Sequence, residues 1–338
     1  MTMTIRNRRI VLAARPTGAP REDNFRLEEV DVPALAPGQF LVRQHYLSLD
    51  PYMRGRMSDQ KSYAPPQPLD QVMIGGTVGE VVASESPAFA VGDRVVGMGG
   101  WQDYAVGVEG GFRKVDTSRV PLSAYLGAVG MPGVTAWYGL NVICEPKDGE
   151  TVAVSAASGA VGSAVGQLAK AKGCRVVGVA GGRDKCDYVT GELGFDACID
   201  YKAAREPAAF AAKLREAAPT GIDGYFENVG GMILDAVLGQ MNAWGRVALC
   251  GMIAGYDGQP VPLADPGVIL RSRLKLQGFI VSEHMGLWPK ALAELGMGVA
   301  TGAIKYRETI AEGLERAPGA FLGLLTGKNF GKQLVKLI

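Results

Sequence analysis

From Thr151 onward, short and almost wholly apolar runs alternate with longer stretches whose apolar side chains recur at helical spacing. TVAVSA (151–156), RVVGVAG (175–181), ACID (197–200), GYFENVG (224–230), RVALCG (246–251) and KLQGFIV (275–281) read as strands. Helices are expected between them over 160–172, 184–193, around 207–217 and over 232–241. Strands that are apolar on both faces and separated by helices predict a parallel sheet covered on both sides.

Residues 5–120 carry a different pattern. Strand-like runs at 25–30, 40–46, 77–83 and 93–98 follow one another closely, broken by Pro33, Pro37, Gly38, Gly92 and the pair Gly99–Gly100. That spacing predicts an all-β region, with a proline-rich loop over 63–68. The pattern changes near Pro121, where helical spacing begins over 123–143, and after about residue 298 the chain reads as strand, helix and strand. With 338 residues in all, two domains are expected.

Composition narrows the function. A formal net charge of +1 leaves no basic surplus to neutralise phosphates, so nucleic acid and acidic membranes are not expected partners. No apolar run is long enough for a transmembrane helix, and residues 1–9 are polar and basic without the apolar core of a secretory signal. The five cysteines are scattered with no C-x-x-C pair, which fits free thiols in a reducing compartment and a cytoplasmic protein.

The turn after the first parallel strand reads SAASGAVG (155–162). It is a G-x-G-x-x-G fingerprint with Ala157 in the first place. Gly159 lets the backbone approach a pyrophosphate, Gly162 lets the following helix pack closely on the strand, and Ala160 and Val161 head that helix, whose N-terminus favours phosphate. The fingerprint alone is weak; its place between a strand and a helix gives it weight. About 20 residues on, a site for an unphosphorylated ribose would carry an acidic residue. Here the strand ends in Gly181-Gly182-Arg183-Asp184-Lys185. Small glycines and two cations favour a 2′-phosphate, and hence NADPH over NADH. The competing reading of Lys185 is a solvated lysine on a helix face.

A catalytic zinc takes about three protein ligands and a structural zinc about four. The chain has only His45 and His284, and no paired cysteines. A carbonyl would then be polarised by hydrogen bonds, and a phenol can both donate one and return a proton. Tyr256 follows the fifth parallel strand, on the edge where such sheets bind ligands. Tyr52, in LSLDPYMRGRM (47–57), is the second candidate, with a half-buried structural tyrosine as its competing reading.

With these segments in hand, the chain resembles the medium-chain dehydrogenase/reductase superfamily, and most closely its zinc-free prostaglandin reductase, alkenal double-bond reductase and curcumin reductase branch. The likeness is carried by LSLDPYMRGRM (47–57), IGGTVGEVV (74–82), GMPGVTAWYGL (130–140), AASGAVGSAVGQLAK (156–170), YFENVGG (225–231), CGMIAGY (250–256) and GKNFGKQLVK (327–336). It implies an α/β chain with a GroES-like, mostly β catalytic domain (1–122 with 299–338) and a doubly wound Rossmann cofactor domain (123–298). Gly181, Lys185 and Tyr201 would lie at the adenosine 2′-phosphate. Asn228, Cys250, Gly251, Met252, Ile253 and Tyr256 would line more of the cofactor. Phe279, Ile280 and Val281 would join them as a strand, with Asn329 from the C-terminal segment. Where zinc-dependent relatives carry Gly-His-Glu and a ligand cysteine, this chain has Gly75-Gly76-Thr77 and Asp50. The segment MGGWQDYAVG (98–107) departs from the family pattern.

The resemblance implies NADPH-dependent reduction of the carbon–carbon double bond of α,β-unsaturated ketones or aldehydes, without a metal. The alternatives are a quinone oxidoreductase and a catalytically silent NADPH-binding protein. A homodimer joined through strand 275–281, the last of the parallel series, is also implied.

Overall fold

The structure, a computed structural model, describes residues 5–338. The chain divides into two units: one runs to Gly127 and resumes over Glu308–Ile338, and the other is Ala128–Arg307.

The first unit begins with a two-stranded antiparallel ribbon, β1 (Arg6–Leu12) on β2 (Phe25–Asp31). Then come β3 (Gln39–Ser48), the short helix α1 (Tyr52–Arg56), β4 (Thr77–Ser84), β5 (Arg94–Gly97), β6 (Tyr104–Val108) and β7 (Phe112–Lys114). The ten-residue β3 is the organiser, pairing antiparallel with both β4 and β6. An apolar cluster including Ile10, Phe25, Leu47, Met53, Met57, Trp101 and Phe321 fills this unit.

The second unit begins with α2 (Met131–Tyr138). It continues as β8 (Thr151–Val154), α3 (Gly162–Lys170), β9 (Arg175–Ala180), α4 (Arg183–Gly191), β10 (Ala197–Asp200), α5 (Pro207–Ala217) and β11 (Ile222–Glu227). After these come α6 (Gly231–Leu238), β12 (Met241–Leu249), α7 (Gly267–Arg271), β13 (Lys275–Gly278) and α8 (Trp288–Thr301). Its six strands are all parallel, in the order β10-β9-β8-β11-β12-β13. The central strands are apolar because helices cover both faces; all four residues of β8 are buried. Pro at its first position starts α5, which buries Phe210 and Leu214 four residues apart, each worth about 1.5–3 kcal/mol by apolar transfer. From β8 the chain winds outward through β9 and β10, then returns to β11 on the other side. That reversal is the topological switch point, where open α/β sheets form a ligand crevice at the carboxyl ends of the strands.

The last segment rejoins the first unit. β14 (Glu308–Glu312), α9 (Ala317–Leu325) and β15 (Lys332–Lys336) form a parallel crossover, and β15 pairs antiparallel with β3.

Several boundaries differ from the sequence reading. Helix α3 starts at Gly162, because residues 155–161 are spent on the turn. The helix read over 232–241 ends at Leu238, and β12 already begins at Met241. The strand read over 275–281 stops at Gly278; Phe279 and Ile280 are irregular and Val281 opens a 3-10 turn. The first four of the polar residues 1–9 lie outside the described residues, while β1 takes up Arg6 onward.

Candidate active site

At the switch point the ends of β8 and β11 are tied together by one serine. Ser155 Oγ accepts the Asn228 N–H at 2.7 Å, and Asn228 Nδ2 donates to the Ser155 carbonyl at 2.8 Å. The left-handed residue of the turn is Ala156, with φ +49°, and not Ala157, whose side chain is buried. A non-glycine residue there is strained. The Gly159 N–H donates back to the Ala156 carbonyl at 2.9 Å, closing the turn. A Cβ on Gly162 would stand 2.4 Å from that carbonyl oxygen. Gly162 is therefore required for the helix to start this close to the strand. The half-buried Ala160 and Val161 precede it at the head of α3, where the helix dipole favours an anion.

At the end of β9, Gly182 has φ +108° and caps α4, a conformation open to glycine. Gly181 is overlaid by two side chains. A Cβ there would meet the Tyr201 ring at 2.8 Å, its hydroxyl at 2.9 Å and the Lys202 Cε at 3.0 Å. Burial, and then the charge of Lys202, hold the Lys185 ammonium below the usual lysine range. Two ammonium groups close enough to repel, beside a phenol, form a cradle for an anion. The Asp200 carboxylate is turned to the backbone, where one oxygen accepts the Gly182 and Lys202 N–H groups at 2.8 and 2.9 Å. Arg183 points away: it is exposed and pairs along the helix with Asp187 at 3.6 Å. Lys202 is the residue that sequence reasoning missed; its signal is its place beside Tyr201.

The third part of the site lies at the ends of β11 and β12. The fully buried Glu227 carboxylate accepts the N–H groups of Val229 and Gly230 and the Ser155 hydroxyl. Burial pushes its carboxyl up to about 7, against the pull of those donors. The Glu227 carbonyl accepts the Cys250 N–H at 2.9 Å, and the Asn228 and Val229 carbonyls accept the Ile253 and Ala254 N–H groups at 3.2 and 2.9 Å. This lacing holds the loop 250–256 against 227–229. Burial, and secondarily Glu227, push the Cys250 thiol up to about 12, so it is a neutral wall. Met252 packs near Gly230, while Ile253 opens the 3-10 turn that delivers Tyr256. The half-buried Tyr256 places its hydroxyl over Gly251, 3.8 Å from where a Cβ would be. Phe279 lies tilted against Tyr138 and edge-on to Phe226, at 5.3 and 6.2 Å between ring centres, and the Val281 carbonyl accepts the Trp288 indole N–H at 3.1 Å. Ile280, half-buried, lies between them. Glu227, too, escaped the sequence reading; a glutamate closing an apolar strand was its signal.

Two candidates belong to the first unit. Tyr52 opens α1 and packs on that unit's core; burial, and then the Asp50 carboxylate, hold its phenol well above the usual tyrosine range. Asp50 itself is buried, accepting from Lys332 Nζ at 2.8 Å and from the Ser48 hydroxyl, while Lys332 also donates to the Leu49 carbonyl at 2.6 Å. The Asn329 amide donates to the Gly331 carbonyl at 2.8 Å. The divergent segment 98–107 is largely structural here: Trp101 is fully buried and stacks on Phe25 at 5.3 Å.

The donor set does not fit a zinc ion. Asp50 is committed to Lys332 and Ser48, His45 lies 3.4 Å from Arg94, and His284 stacks on Tyr138 at 4.2 Å. Among the described residues no group of three or more His, Cys, Asp or Glu could hold a metal.

Residues 8–115 match the family described as the N-terminal domain of oxidoreductase, and residues 160–296 the family described as zinc-binding dehydrogenase. The chain is 49% identical to the NADPH-dependent curcumin reductase of Escherichia coli (strain K12), over 98% of this chain and 97% of that one. This likeness decides the family. The chain belongs to the medium-chain dehydrogenase/reductase superfamily, in its curcumin, alkenal and prostaglandin reductase branch. Within that superfamily it is also 41% identical to the 2-alkenal reductase (NADP(+)-dependent) of Nicotiana tabacum, over 99% of this chain and 98% of that one. The crystal structure of CurA in complex with NADPH from Vibrio vulnificus superposes with a TM-score of 0.92 at 48% identity, covering 98% of this chain and 99% of that one.

Proposed function

We propose that the chain is an NADPH-dependent, zinc-independent reductase of the carbon–carbon double bond of α,β-unsaturated ketones and aldehydes. The observation that carries this reading is the full-length likeness to the curcumin and alkenal reductases, together with the Lys185, Tyr201 and Lys202 cradle. NADPH, when bound, supplies a hydride. Gly159 to Gly162 would take its pyrophosphate, and Gly181, lacking a side chain, lets Tyr201 and Lys202 close over the strand end where its 2′-phosphate would sit. Asn228, Cys250 to Tyr256, Phe279 to Val281 and Asn329 would line the remainder.

The chain's own chemistry is oxyanion stabilisation. As the β-carbon is reduced, negative charge develops on the substrate carbonyl oxygen. The Tyr256 phenol donates a hydrogen bond to that oxygen, an interaction strongest when the charge is greatest. Tyr52 is the second candidate donor. The loop lacing through Glu227 and Asn228 holds Tyr256 before the charge appears. The enzyme is read as cytoplasmic, in keeping with its free cysteines, and no helix among the described residues is long and apolar enough to cross a membrane. It is also read as a homodimer: β13 lies at the edge of the six-stranded sheet, and an edge strand can pair with a second copy.

NADPH consumption over enones of graded chain length and ring content tests the reading, with an enal and a simple quinone side by side. Turnover of the enone and enal well above the quinone is expected, unchanged by a chelator. Turnover of the quinone alone would instead make the protein a quinone oxidoreductase, and no turnover of either a silent binder.

A further inference from the structure

Beside the phosphate cradle lie two cysteines that the reduction does not use. Cys198 on β10 pairs in register with Gly178 on β9. Residues in register on parallel strands project to the same face. A Cβ on Gly178 would meet Val189 Cγ1 of α4 at 3.0 Å, so that face is the one α4 covers. Cys186 lies three residues before Val189, on the same side of the helix. The strand register and the helix phase thus bring the two sulfurs together, and the thiols hydrogen-bond each other. The Cys198 S–H donates and holds the Cys186 thiol below the usual range, while that bond, together with burial, holds Cys198 above it. Cys186, in the first turn of α4 where the helix N-terminus favours a thiolate, would be the nucleophile, and Cys198 on the neighbouring strand the resolving thiol. Both adjoin the cradle along the chain without being part of it: Cys186 follows Lys185 directly, and Cys198 precedes Tyr201 by three residues.

We propose that Cys186 and Cys198 form a reversible redox site, oxidised by hydrogen peroxide to a disulfide that weakens NADPH binding. The Cys186 thiolate attacks one peroxide oxygen and the O–O bond breaks, giving a sulfenic acid and hydroxide. The Cys198 thiol then attacks the sulfenic sulfur, forming the S–S bond and releasing water. The two sulfurs lose two electrons, and the peroxide gains them as it becomes two waters. Closing the sulfurs to the ~2.05 Å of a disulfide draws the first turn of α4 onto β10. Lys185 moves with that turn. The effect on affinity rests on the reading of Lys185 and Tyr201 as 2′-phosphate ligands.

The full chain is treated with hydrogen peroxide in the absence of cofactor, then read by intact mass, non-reducing peptide mapping and NADPH titration. The expected result is loss of two hydrogen atoms' mass, a peptide pair joined through Cys186 and Cys198, and a Kd for NADPH raised about tenfold, the scale of one charge-assisted phosphate contact. A thiol reductant restores both. Cys186→Ser and Cys198→Ser proteins should bind NADPH like the reduced wild type and resist peroxide. Oxygen adducts without a bridge, or a bridge through other cysteines, would overturn the proposal. So would a Cys186–Cys198 bridge that leaves the NADPH Kd unchanged in a protein whose Lys185→Ala variant binds NADPH weakly. A Lys185→Ala variant that binds NADPH normally sinks the cofactor reading instead.

Discussion

Residues 49–56 of the first unit and 250–256 of the second each present a tyrosine, and they hold it in different ways. Tyr52 starts a short helix that buries Met53 and Arg54, beside an Asp50–Lys332 ion pair that is itself buried. Tyr256 ends a single 3-10 turn with no buried residue, whose first residues are tied by backbone bonds to 227–229. The first tyrosine is set by packing and charge. The second is set by a loop at the carboxyl end of a sheet, the position from which open α/β sheets address their ligands. The contrast separates two kinds of support: the first tyrosine stands on a buried core, the second on a loop at the ligand edge of the sheet.

The most severe way to break the contrast is to remove the anchor. Lys332→Met leaves Asp50 buried and uncompensated, and losing one partner of such a pair costs about 3–5 kcal/mol. The denaturant midpoint should fall steeply, measured by urea unfolding. Lys332→Met combined with Asp50→Asn should recover much of the loss, because no charge is then stranded. A single variant as stable as the wild type would show that the ion pair anchors nothing.

Next in size is Tyr256→Phe. Losing one oxyanion donor costs on the order of 10²–10³ in kcat, and the lower end is expected because the remaining polar groups share the charge. The loss should fall on kcat with an enone while the NADPH Kd holds. Wild-type turnover would make Tyr256 only a wall of the pocket.

Glu227 sharpens the loop side of the comparison through pH. Its carboxyl, pushed up to about 7 in the fold, titrates near 4.3 when unfolded. The fold therefore holds this proton more tightly. The stabilisation is complete below the unfolded value and is lost as pH rises through about 7. Between pH 5 and pH 8 that loss should be about 2–3 kcal/mol. Glu227→Gln should flatten this part of the stability profile, measured by unfolding at pH 5 and pH 8. An equal slope in wild type and variant would place the titration elsewhere.

How much of this was legible beforehand depended on the range of the interaction. The alternating apolar runs showed the parallel sheet and its ligand edge, because burial on both faces leaves its mark in every strand. Gly162 was legible for the same local reason: a turn that excludes a Cβ shows in the residue type, whereas Gly182 was read only as room for a phosphate and its left-handed φ was not. Lys202 and Glu227 were not. Lys202 matters only because it folds back over Gly181, 21 positions earlier in the chain, and Glu227 only because three donors converge on it across two strand ends. The Lys332–Asp50 pair joins residues 282 positions apart, and no spacing rule anticipates it. The early stop of β13 at Gly278 was hidden by the apolar Phe279 to Val281, of which Phe279 and Val281 are buried without being strand.

The cradle gives a smaller effect that local reading did foresee. Lys185→Ala should weaken NADPH about tenfold, since a charge-assisted phosphate bond is worth about 1.5–3 kcal/mol and Lys202 remains to share the load. NADH affinity should hardly change. Lys202→Ala should do the same to a similar degree, and the pair together should abolish the preference. Equal wild-type affinities for NADPH and NADH would remove the cradle's meaning.

The smallest effect is expected where the comparison began. Tyr52→Phe removes one hydroxyl from a side chain whose ring packs on the first unit's core. The ring packing survives the change, so stability should move by less than about 0.5 kcal/mol. The phenol is also poorly placed to give up a proton, since burial and Asp50 both oppose the phenolate. It can still donate a hydrogen bond, so kcat with an enone is the discriminating readout. A change below about threefold leaves Tyr256 as the principal donor. A loss as large as that of Tyr256→Phe would mean that both tyrosines reach the same oxygen. The double variant then decides: if the two losses multiply, the donors act independently, and if the second change adds nothing, the two hydroxyls work as one unit.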